Sequence, residues 1–233
     1  MAIKVVSRWR KGQAAICFSL LLASVTQCET IEIESPDPIE RGRFGTSISV
    51  VPDLTEDGVD EFIVGQLAGG AYVFDGSSRL LIHRLIPPTT AARYFGSGVT
   101  GIPDLSGDGV ADLAVGAHWE NFTDAVPNAG RVYVYNGMSG NLMYSFFSPN
   151  PEAGSFFGYS LAGVPDLDGD GLGDLVVGAQ LEKVENTQIQ AGAIHVFSGR
   201  DGDWLYSLRT PSPVDNGRFG WNIRGLPDLD GDG

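Results

Sequence analysis

Four short stretches concentrate the residues that could do chemistry: DLTEDGVDE at 53–61, DLSGDGVAD at 104–112, DLDGDGLGD at 166–174 and DLDGDG at 228–233. Together they hold 15 of the 29 acidic residues of the chain. Carboxylates at positions 1, 3 and 5 of a tight loop stand a few ångströms apart and repel one another unless something neutralises them. The donors are oxygens alone, with no His or Cys in the windows, and Gly58, Gly109, Gly171 and Gly233 fall at position 6, where a sharp bend is required. This is the donor set of a hard cation, and it matches the first half of a calcium loop, which uses side chains at 1, 3 and 5 and a backbone carbonyl at 7. The closing acid arrives at position 9 and strand residues follow at once, so these are hairpin loops and not the helix-flanked kind.

The third loop has the fullest set: Asp166, Asp168, Asp170, the carbonyl of Leu172, and Asp174. The second keeps Asp104, Asp108, the carbonyl of Val110 and Asp112, but Ser106 at position 3 removes one charge and predicts weaker binding. In the first, Thr55 takes position 3 and Glu61 position 9, with Asp53, Asp57 and the carbonyl of Val59 between them; the longer closing acid changes the reach. The fourth offers Asp228, Asp230 and Asp232 and stops before positions 7 and 9. For a single loop the alternative is a set of Asx turns in which the carboxylates accept backbone N–H bonds. Four loops in register favour the ion. Magnesium, with stricter octahedral geometry and retained waters, fits five protein ligands less well than Ca²⁺ does.

The elements that position these loops follow from a long period. Phe-Gly pairs begin at Phe44, Phe95, Phe157 and Phe219, spaced by 51, 62 and 62 residues, and an Asp stands nine residues after each Phe: Asp53, Asp104, Asp166 and Asp228. Two unrelated markers moving in step define a repeat. Within the third unit the pattern predicts strands over 157–164, 175–177, 193–197 and 204–208, with the acidic loop joining the first two. The second unit repeats this plan over 113–115, 132–135 and 142–146. A four-stranded sheet of this size cannot bury both faces alone, but such sheets stacked around an axis bury one another. The fold class is therefore all-β, a β-propeller of about three four-stranded blades plus the start of a fourth, with repeats at about 40–90, 91–152, 153–214 and 215–233. Each Phe of a Phe-Gly pair is expected to fill the gap between neighbouring blades.

Composition agrees. Glycine makes up 32 of 233 residues, and the formal net charge of −14 repels nucleic acid and anionic membrane surfaces. Residues 1–28 read as a signal peptide: Lys4, Arg8, Arg10 and Lys11 precede an apolar run from Ala14 to Val25 that is too short to span a bilayer. Val25-Thr26-Gln27-Cys28 also resembles a bacterial lipoprotein processing box, which would make Cys28 a lipid anchor and the one membrane attachment. Both cysteines, Cys17 and Cys28, lie within this leader, so residues 29–233 have no disulfide and depend on core burial, on metal, or on both.

These residues resemble the FG-GAP repeats of integrin α-subunit β-propellers, which also occur in secreted bacterial proteins and in a phosphatidylinositol-glycan-specific phospholipase. The likeness covers about residues 40–233 and rests on the Phe-Gly pair, the Asp-x-Asp-x-Asp-Gly-x-x-Asp loop and the later Gly116-Ala117 and Gly178-Ala179. His118 and Gln180 replace the proline that follows Gly-Ala in the family, and the first unit departs further with Gly65-Gln66-Leu67. The resemblance implies a propeller that usually has seven blades, of which this chain would be a fragment.

No catalytic constellation accompanies the loops. Gly96-Ser97-Gly98-Val99-Thr100-Gly101 spells a dinucleotide fingerprint, but it lies inside a strand and no helix follows to cradle phosphate. His83, His118 and His195 fall in separate units without metal spacing. The expected function is non-enzymatic: an extracellular or cell-surface calcium-binding propeller that mediates adhesion or binds a protein or carbohydrate ligand. The alternative is an accessory domain of a larger secreted hydrolase such as a phospholipase. The long connections 117–129 and 179–191 share the face opposite the acidic loops, and His118, Trp119 and Phe122 make it the candidate ligand surface. Trp119 and Phe122 could equally pack the insert onto its own blade.

Overall fold

Each repeat opens on an eight-residue strand whose Phe is buried and whose next residue, Gly, lies in the left-handed region: φ is 85° at Gly45, 86° at Gly96 and 83° at Gly158. The ladder slips there, from Phe44 to Ser47, Phe95 to Gly98 and Phe157 to Ser160, so each Phe-Gly pair is a β-bulge that a side chain at the second position would strain.

The chain is described here from a computed structural model, which covers residues 2–6, 16–17, 30–67 and 69–226. Three antiparallel meanders carry the repeats. The first joins Phe44–Val51 (β4), Glu61–Gln66 (β5), Gly70–Phe74 (β6) and Leu81–Leu85 (β7). The second joins Phe95–Ile102 (β8), Asp112–Ala117 (β9), Arg131–Tyr135 (β10) and Leu142–Phe147 (β11), and the third Phe157–Val164 (β12), Asp174–Ala179 (β13), Ala193–Phe197 (β14) and Trp204–Leu208 (β15). The expected strands are present, and the second of each unit is longer than its apolar run because it begins on the closing acid of the loop. A further small sheet places Ala2–Val6 (β1) between Ile16–Cys17 (β2) and Thr30–Glu34 (β3), with β1 parallel to β3. Most of the leader read over 1–28 lies outside the described residues, as do Asp228, Asp230 and Asp232.

The sheets stack face to face. Phe95 packs with Val51, Ile63, Val73 and Leu85 of the first blade, and Phe157 with Ala114, Val132 and Val134 of the second. Phe95 and Phe157 therefore fill interblade gaps, whereas Phe44 packs among Phe62, Val64, Tyr72 and Phe74 of its own blade and Ile33 before it; a side chain so buried contributes about 1.5–3 kcal/mol. Closeness at the seam is set by a second glycine. A Cβ on Gly65, Gly116 or Gly178 would lie 2.0, 1.9 or 2.1 Å from the carbonyl oxygen of Gly96, Gly158 or Gly220, the bulge glycine of the following unit. In a meander the loops between strands one and two share one end of the blade with the turns between strands three and four. The acidic loops and the 75–80, 136–141 and 198–203 turns thus meet at one end, and the connections after β9 and β13 leave from the other.

Candidate metal centre

In all three described loops the aspartate at position 1 is a hub for backbone donors. Asp53 accepts N–H bonds from Thr55 (3.1 Å) and Gly58 (2.8 Å), Asp104 from Gly107 (2.7 Å) and Gly109 (2.7 Å), and Asp166 from Gly169 (2.7 Å) and Gly171 (2.8 Å). The position-6 glycine makes this possible, with φ of 82° at Gly58, 87° at Gly109 and 90° at Gly171. At position 5, Asp57, Asp108 and Asp170 each accept the N–H of position 7, from Val59 (2.9 Å), Val110 (2.9 Å) and Leu172 (2.8 Å). The Asx-turn reading and the cation reading are thus superposed: the turns shape the loop, and lone pairs beyond those taken by N–H groups remain on the same oxygens.

The closing acid is buried because it is the first residue of a core strand. The N–H of position 2 reaches it every time, from Leu54 to Glu61 (2.6 Å), Leu105 to Asp112 (2.8 Å) and Leu167 to Asp174 (2.7 Å). Its second oxygen accepts from Gly137 (2.9 Å) in Asp112 and from Gly199 (3.1 Å) in Asp174, tying the loop to the next turn. Glu61 instead accepts from the Thr55 hydroxyl (3.1 Å). Burial pushes the carboxyls of Glu61, Asp112 and Asp174 above their ordinary range. The exposed hubs go the other way: the N–H of Gly58 holds Asp53 low, and those of Gly171 and Gly169 hold Asp166 low. Asp108 is lowered chiefly by Asn136, and Asp170 chiefly by Arg200.

Two acidic groups close tightly. Carboxylate oxygens of Asp53, Asp57 and Glu61, and separately of Asp166, Asp168 and Asp174, lie within 4.8 Å of one another. Among the described residues Asp104, Asp108 and Asp112 do not, although Ser106 Oγ donates to Asp104 (3.2 Å) at position 3. Asp170 stands apart from the third group and pairs with Arg200. All-oxygen donors, three acids within bonding reach of one point and burial strain on the closing carboxyl fit a hard divalent ion. The longer Glu61, far from spoiling the first loop, brings its carboxylate to Asp53 and Asp57.

On the opposite end, Trp119 is stacked between Tyr94 (4.6 Å between centroids, 29°) and Phe156 (6.1 Å, 10°), and Phe122 lies edge-on to Phe147 of its own blade (5.0 Å). Both rings thus meet the chain's own aromatics, while Trp119 is half-buried and Phe122 stays 46% exposed. His118 is buried among Tyr94, Phe156 and Tyr159, its Nδ1 has no partner among the described residues, and burial pushes its pKa down to about 4.

Sequence reasoning missed a second set of acids on these blades. Tyr133 Oη donates to Glu120 (2.6 Å), which also meets Arg131 (3.4 Å). In the third blade His195 Nε2 meets Glu182 (2.7 Å), whose other oxygen takes Arg209 (2.5 Å). In the first, Tyr72 Oη donates to Asp37 (3.1 Å), which pairs with Arg84 (2.9 Å). The signal was present for two of the three, because Glu120 and Glu182 are 62 residues apart, as are Tyr133 and His195. The carbonyls of Glu120 and Glu182 also accept the N–H of Gly130 (2.9 Å) and Gly192 (3.0 Å), closing the neck of each long connection.

The sequence model of the FG-GAP repeat matches residues 95–135 and 157–197, which run from the first strand to the third in the second and third blades. The chain is 29% identical over 160 residues to integrin alpha-6 of Gallus gallus, covering 60% of this chain and 14% of that protein. It is 30% identical over 157 residues to integrin alpha-5 of Xenopus laevis, and 33% over 159 residues to integrin alpha-3 of Cricetulus griseus, covering 58% of this chain and 14% of the relative in both cases. The chain thus spans about one seventh of the length of these relatives. Repeated Phe-Gly bulges, acidic hairpin loops and stacked four-stranded sheets agree with that match: the chain carries FG-GAP repeats, and its sheets stack as blades of the β-propeller class.

Proposed function

We propose that this chain is a calcium-stabilised, non-enzymatic β-propeller module that works outside the cell or at its surface and binds a protein or carbohydrate ligand there. The observation that carries the reading is one acidic hairpin loop recurring at one end of successive blades, with carboxylates of two loops closing within 4.8 Å. Asp53, Thr55, Asp57, the carbonyl of Val59 and Glu61 would hold one ion. Asp104, Ser106, Asp108, the carbonyl of Val110 and Asp112 would hold a second, and Asp166, Asp168, Asp170, the carbonyl of Leu172 and Asp174 a third. Asp228, Asp230 and Asp232 begin a fourth such loop. The bound ion supplies charge neutralisation and cross-links the start of each core strand to its loop; the chain itself supplies the bend, the buried closing acid and the turn that caps it. The similarity to integrin alpha subunits supports ligand binding and adhesion as the purpose of the module, and the signal peptide read over 1–28, with Cys28 as an alternative lipid anchor, supports export.

With affinities of about 0.1–1 mM, as in extracellular modules, millimolar calcium contributes roughly 0.4–1.4 kcal/mol per site. Thermal unfolding with calcium and with chelator tests the proposal: the melting temperature is expected to fall on chelation, and superimposable curves would overturn it.

A further inference from the structure

The donor that meets the position-5 aspartate changes in kind from blade to blade. In the first blade it is a neutral hydroxyl, Ser77 Oγ to Asp57 (2.5 Å), and in the second a neutral amide, Asn136 Nδ2 to Asp108 (2.6 Å). In the third it is a cation. Arg200 Nε donates to Asp170 Oδ2 (2.7 Å) and its Nη2 to the Asp170 carbonyl (2.7 Å), so the guanidinium grips both the side chain and the main chain of one loop residue. Ser77 and Arg200 occupy the same place in the repeat, each directly after the turn glycine, Gly76 or Gly199. Asp57, met by a hydroxyl, closes on Asp53 and Glu61, whereas Asp170 is held by Arg200 while Asp166, Asp168 and Asp174 close without it. A neutral donor does not by itself bring closure, since among the described residues Asp108, met by Asn136, does not close on Asp104 and Asp112; what sets the third loop apart is the fixed positive charge on its position-5 acid.

A guanidinium keeps its charge at every accessible pH and cannot be neutralised to make way for a metal. A divalent ion entering the third loop meets that charge and must either share Asp170 with it or do without Asp170. We propose that Arg200 is an internal counter-ion that lowers the calcium affinity of the third loop, the loop which its four aspartates would otherwise make the tightest. Arg200 is in this sense an affinity-setting residue: it already supplies part of the neutralisation that the first loop must take from solution. The proposal rests on the calcium reading above.

The test is a calorimetric titration of the full chain with CaCl₂, with Asp53→Asn and Asp104→Asn in every variant so that heat reports the third loop. Replacing Arg200 by Met, similar in length and uncharged, is expected to tighten binding about three- to tenfold, the scale of one exposed charge interaction combined with a recovered ligand. Arg200→Lys is expected to stay near the parent affinity. Binding that is unchanged or weaker in Arg200→Met, with heat retained in the parent, overturns the proposal and leaves the calcium reading standing. No heat in either protein means that the third loop binds no calcium, which overturns the proposal; heat from the chain with all loops intact then tells whether the calcium reading stands for the others. The reciprocal variant, Ser77→Arg in a chain carrying Asp104→Asn and Asp166→Asn, is expected to weaken the first loop by a similar factor. An unchanged first loop counts against the proposal even if Arg200→Met does not fold.

Discussion

The interblade seams and the acidic loops both depend on glycine and on close polar contacts, yet they are completed in different ways. At the seam, Gly116 faces the carbonyl oxygen of Gly158 so closely that an added Cβ would lie 1.9 Å from it, and aromatic and aliphatic side chains fill the space on either side. In the loop, Gly171 has open space around its missing side chain and is required only by its φ of 90°. The seam is finished by the chain's own atoms. The loop is not, because burial strains its closing carboxyl and the neighbouring acids share only backbone N–H groups, or one guanidinium, as counter-charge. The difference separates what folds the blades together from what must be added to settle them.

Substitutions that press on one region and spare the other sharpen this contrast. The largest effect is expected from Gly116→Ala, which must push two blades apart; a loss on the order of 4 kcal/mol, measured by chemical denaturation, would be the same with and without calcium. Glu182→Ala comes next. It leaves His195 and Arg209 without their shared carboxylate, and about 3 kcal/mol is the usual scale for breaking a buried pair. This loss too should ignore calcium, and it should raise hydrogen exchange selectively in residues 180–192. Gly171→Ala is smaller, about 1 kcal/mol from forcing an alanine into the left-handed region, and it should cost more in calcium than in chelator because the loop can no longer close on the ion. A calcium-independent cost there would erase the distinction.

The weakest and most diagnostic effect is that of pH. Glu61, Asp112 and Asp174 have folded pKa values above their ordinary ones, so the folded state holds their protons more tightly than the unfolded chain does. In chelator their contribution therefore makes stability rise as pH falls from neutral towards about 4, where the unfolded carboxyls titrate. Asp53, Asp108, Asp166 and Asp170 are lowered, so their contribution is present above that range and is lost only as pH falls through their folded values. The stability optimum in chelator should lie at mildly acidic pH and move towards neutral when calcium is added. Melting temperatures that are flat between pH 7 and pH 5 in chelator would contradict the strain assigned to the closing acids.

Much of the fold was legible because the repeat is written twice, in Phe-Gly and in the acidic loops, and both sets of marks report backbone needs: a bulge at Gly96 and a bend at Gly109. The strands over 157–164, 193–197 and 204–208 follow directly from those marks. The ranking of the loops was less legible. Counting acids placed the third loop first and the first loop last, but the count says nothing of the partner across the turn. Ser77 meets Asp57, which stays in its cluster, and Arg200 meets Asp170, which lies outside its own; these partners lie 20 and 30 positions away from the acids they meet. The surroundings of Trp119 were not legible either, because the rings stacked with it, Tyr94 and Phe156, lie 25 and 37 positions away. Asp37, which serves the first blade as Glu120 serves the second, comes from before the repeat begins and has no periodic mark at all.

The claim on which the account turns is that the acidic hairpins are cation sites. Titrating the purified full chain with calcium in a calorimeter addresses it directly. Saturable heat in the submillimolar to millimolar range, abolished when Asp53, Asp104 and Asp166 are all replaced by Asn, is the predicted result; a heat trace indistinguishable from dilution would contradict it.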